Sequence, residues 1–221
     1  MTFLSNSVAA GRRLPRRVSQ LFTGLILYGI SMAFMVESGL GLNPWDVFHQ
    51  GVSQVTGLSF GWVVILAGIP ILMLWIPLRQ KPGFGTIANL VVIGLVVDGA
   101  LAVLAPGESL PMRVTYLVVG ILLNGVATGM YIGARFGPGP RDGLMTGIVH
   151  RFPRLSIRLV RTSIEVAVLA TGFLLGGTVG IGTVAYALAI GPLVQLFMPL
   201  FAVGQRSGTG RLVPALAPAG S

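Results

Sequence analysis

The chain is expected to fold as an all-α membrane protein of six transmembrane helices, arranged as two inverted three-helix repeats, each with a short amphipathic or re-entrant helix. Three observations predict this. Charged residues make up only 10% of the chain and hydrophobic residues 53%, which leaves little polar surface to face water. The basic residues gather in alternate loops between apolar runs. A shift of 96 residues superimposes the second half of the sequence on the first.

Arg12, Arg13, Arg16 and Arg17 precede an apolar run, Val18 to Val36, of 19 residues. That length spans the roughly 30 Å hydrocarbon core. No A-x-A-like cleavage site follows, so the run reads as a first transmembrane helix and not as a signal peptide. Five further runs of spanning length follow, near Ser59–Leu78, Phe84–Ala105, Val114–Ala134, Ser156–Gly176 and Ile181–Val203. The last two must be separated within Gly176-Gly177-Thr178-Val179-Gly180-Ile181-Gly182, because consecutive glycines weaken a helix and permit positive φ.

Placing the N-terminus in the cytoplasm puts 14 of the 15 basic residues on that side and leaves Arg113 opposite, beside Glu37, Asp46 and Glu108. Both termini are therefore expected to be cytoplasmic, in a bacterial inner membrane. The formal charge of +9 is explained by topology, and nucleic acid is not an expected partner. The organisation that results is a basic segment (1–17), a first three-helix repeat (18–105), a second, inverted repeat (113–203) and a flexible cytoplasmic tail (204–221).

At a shift of 96, Gly24 falls on Gly120, Leu27 on Leu123, Gly29 on Gly125, Gly41 on Gly137, Pro44 on Pro140, Asp46 on Asp142 and Gly51 on Gly147. A shift of 97 then aligns Leu58-Ser59 with Leu155-Ser156, Gly83-Phe84-Gly85-Thr86 with Gly180-Ile181-Gly182-Thr183, and Gly94 with Gly191. An odd number of spans per repeat turns the second copy upside down relative to the first. Such repeats recur in secondary transporters, where the halves meet around a midplane site.

The duplicated segment Gly39-Leu-Gly-Leu-Asn-Pro-Trp-Asp46 and its counterpart Arg135-Phe-Gly-Pro-Gly-Pro-Arg-Asp142 hold the main substrate-path candidates: Asn43, Pro44, Trp45 and Asp46, with Pro140, Arg141 and Asp142. Asn43 suits an N-cap, Pro44 the first helical position and Asp46 the first turn, so a short helix should begin there. Trp45, Phe48, Val52 and Val55 fall on one face of that helix, and Asp46, His49 and Gln50 largely on another. The second copy sets Leu144, Met145, Ile148 and Val149 against Arg141, Asp142, Thr146 and His150. If both helices re-enter the membrane, two opposed N-termini point at the bilayer centre; if they lie at the interface, each Asp only caps its own helix. Gly41 and Gly137 point to a tight bend or a close backbone approach.

Glu165 lies near mid-depth of the fifth span and can pair with Arg161 one turn away, either as a coupling carboxylate or as a structural partner. Asp98 and its counterpart Gln195, together with Asn124, are secondary polar candidates, and Asn89 and Glu37 suit interhelical hydrogen bonding. Gly125-xxx-Gly129-xxx-Gly133 is a packing face. No cysteine is present, the two histidines are far apart, and HExxH, P-loop and GxSxG motifs do not occur. No enzyme activity, metal or cofactor is expected.

The run Gly39 to Asp46, the segment Ile76-Pro-Leu-Arg-Gln-Lys-Pro-Gly83, the motif Gly137-Pro-Gly-Pro-Arg-Asp-Gly-Leu-Met145 and Arg161-Thr-Ser-Ile-Glu165 resemble the YczE/YitT-like family of bacterial multi-pass membrane proteins. The resemblance covers about residues 12 to 203 and implies location and topology; export or support of secondary-metabolite production are the roles it suggests, and it transfers no catalytic residue. The expected function is a small-solute transporter or exporter. The alternative is a non-transporting membrane factor that stabilises or recruits a partner enzyme or complex. The lipid bilayer and an unidentified solute are the expected partners, and a homodimer is how so small a bundle would enclose a path.

Overall fold

The computed structural model describes residues 2–202, with side-chain surroundings from residue 14 onward. The tail assigned to 204–221 lies outside the described residues. Those residues form helices only: α1 (Thr2–Ser38), α2 (Pro44–Thr56), α3 (Phe60–Trp75), α4 (Phe84–Leu101), α5 (Leu110–Gly133), α6 (Pro140–Arg151), α7 (Ile157–Leu174) and α8 (Ile181–Phe201). Four helices are long and apolar enough to cross a membrane, and α2 with α3, bent by 110° at their junction, could make a fifth span. Neither remaining expected span meets that standard alone: α3 has 16 residues, and α7 carries Arg158, Arg161 and Glu165.

Every apolar run contains a helix, and four ends shift by three residues or more, among them that of α4, at Leu101 and not Ala105, and the start of α5, at Leu110 and not Val114. The first helix extends upstream of Val18 to Thr2, since arginine is a good helix former and the basic segment simply continues the turn. The third stops at Trp75 and not at Leu78, because Pro77 has no N–H to donate to the Met73 carbonyl, and Arg79 then turns with φ 53°.

The centre is an antiparallel pair, α1 and α5. Gly24 faces Ala127, Met130 and Tyr131, while Gly120 faces Ser31 and Met35, so the backbones cross closely at two places. Each helix holds the C-terminal end of the other. Arg17 donates from Nε to Ala134 O and from Nη2 to Arg135 O, both at 3.0 Å; Arg113 does the same to Ser38 O and Gly39 O, both at 2.7 Å. Arg17 and Arg113 are 96 residues apart, as are their acceptors.

Flanking contacts recur at the same spacing. α4 packs on α1 with Val96 against Gly29, and α8 packs on α5 with Leu193 against Gly125. The face Gly125, Gly129, Gly133 packs on Leu193, Phe197 and Phe201. The two short helices cross over: α2 lies against α7 and α6 against α3. One contact does not recur. α3 packs tightly on α4, whereas α7 barely touches α8.

Candidate functional site

The two bends ahead of the short helices form the scaffold of the site. Gly41 and Gly137 have φ of 117° and 119°, a region closed to residues with a Cβ. Each bend is gripped by the opposite half. Gly182 N donates to Leu40 O at 2.8 Å, and Gly85 N donates to Phe136 O at 2.9 Å. A Cβ on Gly41 would meet Gly180 N at 2.6 Å, and one on Gly137 would meet Thr86 Oγ1 at 3.0 Å. Tight bend and close approach are therefore both present, at both positions.

Beyond the first bend, Asn43 caps α2 by accepting from Trp45 N and Asp46 N, each at 3.1 Å, and its Nδ2 donates to Asp46 Oδ2 at 2.5 Å. Pro44 takes the first helical position. Asp46 and His49 are turned into the protein, as is Trp45 from the other face, while Val55 is exposed.

The second copy starts without a side-chain cap at Gly139, and Pro140 is fixed from outside: Trp75 Nε1 donates to its carbonyl at 3.0 Å, and the Trp75 ring fills the space beside Gly143. Arg141 then reaches the centre, where Nη2 donates to the Tyr28 hydroxyl and the guanidinium lies 6.0 Å and 5.9 Å from the Tyr28 and Trp45 ring centres. Asp142 accepts from the Tyr131 hydroxyl at 3.0 Å. Asn124 is fully buried, donates to Ser31 Oγ at 2.9 Å and accepts from the Tyr186 hydroxyl at 3.0 Å.

Tyr28, Trp45, Asp46, Pro140 and Arg141 border a partly open cleft with about 430 Å³ of atom-free space, open solvent at its mouth included, whereas Asp142, Asn124, Tyr131 and Tyr186 stand outside its wall. Its polar lining is Tyr28, Trp45, Asp46, His49, Asn89 and Arg141, and its apolar lining Met32, Val64, Ile71, Leu90 and Ile93. Of the expected path residues, the structure brings Trp45, Asp46, Pro140 and Arg141 to the cleft wall; Asn43 and Pro44 form the N-terminal end of α2 directly behind it.

Arg161 and Glu165 pair at 2.9 Å on α7 with side chains 60% and 33% exposed, and neither borders the cleft. Asp98 instead accepts from Ser59 Oγ at 2.5 Å and Gly61 N at 2.6 Å, which places its carboxylate on the start of α3. Gln195 is exposed, because α8 lacks the neighbour that α4 has.

Tyr28, Asn89 and Tyr186 were not singled out as path residues. A signal for them exists in the repeat: Tyr28 is equivalent to Asn124 and Asn89 to Tyr186, so polar groups stand at both copies of two positions in otherwise apolar runs. No cluster of residues able to hold a metal ion occurs among the described residues.

A model described as a family of unknown function, DUF6198, matches residues 15–199. An uncharacterized protein of Haemophilus influenzae is 42% identical over 85% of this chain and 85% of its own length. The uncharacterized membrane protein YczE of Bacillus subtilis is 28% identical over 92% of this chain and 98% of its own. The uncharacterized protein YyaS of the same organism is 28% identical over 80% and 90%. The resemblance read from the Pro–Asp motifs is borne out. No solved structure matches the chain.

Proposed function

The chain belongs to the DUF6198 family, and within that family of membrane proteins we propose that it is a small-solute carrier of the bacterial cytoplasmic membrane, six spans built as two inverted repeats with both termini cytoplasmic. The observation that carries this reading is the reciprocal contact set: paired arginine clamps on an antiparallel helix pair, and paired bends each gripped by the other half. Antiparallel equivalents imply a pseudo-twofold axis across the helices, which in a bilayer lies in the membrane plane. The two Pro–Asp helices and their buried polar side chains then meet near the midplane, where such carriers hold their solutes.

Two experiments test the reading. Tags inserted after Glu37 and after Pro153 should report opposite compartments; the same compartment for both would dismiss the inverted repeats. Purified protein in vesicles should move at least one class among organic cations, anions and zwitterions, with flux reduced by Asp46→Asn. Absence of flux for all three classes would replace the carrier with a non-transporting membrane factor.

A further inference from the structure

The first turns of α2 hold three buried polar atoms without a hydrogen-bond partner: Trp45 Nε1, Asp46 Oδ1 and His49 Nδ1. Their residues are 6%, 1% and 8% exposed, and all three border the cleft. Asp46 Oδ2 is occupied by Asn43, whereas Oδ1 faces His49 Nδ1 at 3.5 Å, beyond hydrogen-bond reach. Burying half a carboxylate without a donor is unfavourable unless something else supplies one.

Charge shows what is missing. The groups around Asp46 and Arg141 are Tyr28 from α1, Tyr131 from α5, Asp142 from α6 and Tyr186 from α8; of the helices packed on α2, α3 carries no charged residue and α7 carries the Arg161–Glu165 pair and, exposed in its first turn, Arg158. The α7 pair cancels itself. What remains is Arg141 against Asp46 and Asp142, one negative charge in excess. Arg141 forms no ion pair within 4 Å with either carboxylate; it is held by the Tyr28 hydroxyl and by the faces of Tyr28 and Trp45.

Resting on the reading of this cleft as a solute site, we infer that its ligand is a monovalent organic cation with an apolar body. An ammonium or amidinium group supplies the missing donor at Asp46 Oδ1 and lies beside the Trp45 ring. The apolar part lies along Val64, Ile71, Leu90 and Ile93. The ligand brings the cluster to neutrality, while an anion would double an excess charge already buried.

The test is equilibrium binding to the full chain in lipid nanodiscs, measured by calorimetry with 2-phenylethylammonium, 3-phenylpropanoate and phenylalanine as cationic, anionic and zwitterionic probes of similar size. The cation should bind most tightly, and about tenfold or more weakly in Asp46→Asn, with partial recovery in Asp46→Glu. Tighter binding of either other probe, no binding of the cation, or unchanged cation affinity in a folded Asp46→Asn protein would overturn the inference. If Asp46→Asn does not fold, the ranking of the three probes on the unaltered chain decides. Cation binding without flux in vesicles would remove the carrier and leave this site; flux of an anion without cation binding would do the reverse.

Discussion

Gly94 and Gly191 stand at equivalent positions of the two repeats, yet one added methyl group should have different effects at each. At Gly94 a Cβ would lie 2.5 Å from Ile65 Cγ1 and 2.7 Å from Gly61 O. The second neighbour is backbone and cannot rotate away, so α3 and α4 would have to part by roughly 0.7 Å to restore ordinary contact. Overpacking of this kind costs about 1–3 kcal/mol. The same separation stretches the bonds from Ser59 and Gly61 to Asp98, at about 1 kcal/mol, which offsets the up to about 1 kcal/mol of helix propensity that alanine returns. The net loss for Gly94→Ala is about 1–3 kcal/mol. At Gly191 nothing lies within 4 Å, and the propensity gain is offset by Pro192, which disfavours helical geometry in a preceding residue that has a Cβ. Gly191→Ala should stay within about 0.5 kcal/mol of the parent protein. Thermal unfolding in nanodiscs, followed by circular dichroism, reads the difference: a fall of about 3–9 °C for Gly94→Ala and under about 2 °C for Gly191→Ala. Equal losses at both positions would refute the open α7–α8 arrangement, and no loss at Gly94 would refute the α3–α4 packing.

Three further outcomes are expected. Gly41→Ala and Gly137→Ala should each abolish accumulation of folded protein, as judged by size-exclusion chromatography, because positive φ and a gripped bend coincide at both. Arg113→Ala should lower stability by about 2 kcal/mol in the same unfolding assay, with Arg113→Lys recovering less than half, since an ammonium cannot reach both Ser38 O and Gly39 O in the planar fork geometry. Asn124→Leu should cost about 1–2 kcal/mol by leaving Ser31 and the Tyr186 hydroxyl without their partner, and Tyr186→Phe in that background should recover part of the loss.

Helix placement was legible because apolar run length, Pro at N1 and glycine clusters act locally. Pro44 and Pro140 begin helices where their spacing said they would, and Gly176 turns between α7 and α8 with φ 98°. The inward face of α2 was not legible in the same way. Amphipathicity tells which side chains segregate and leaves open which side meets the protein, and here Asp46 and His49 are buried together with Trp45. Arg141 and Asp46 were found because charges stand out in this sequence. Tyr28, Asn89 and Tyr186 look like ordinary packing residues until the two copies are overlaid, and only the fold brings them to one centre. The open α7–α8 interface had a trace in Arg158, which occupies the position equivalent to Gly61, where no side chain fits against α4.

The crossed grip of the two halves also sets an order of events during synthesis. The carbonyls of Ser38 and Gly39 wait for Arg113, and that of Leu40 waits for Gly182, near the far end of the chain. A nascent first half emerging from the ribosome therefore holds its bend open until most of the second has been translated. Neither half could mature as an independent product, and separately expressed halves should accumulate only when made together in one cell.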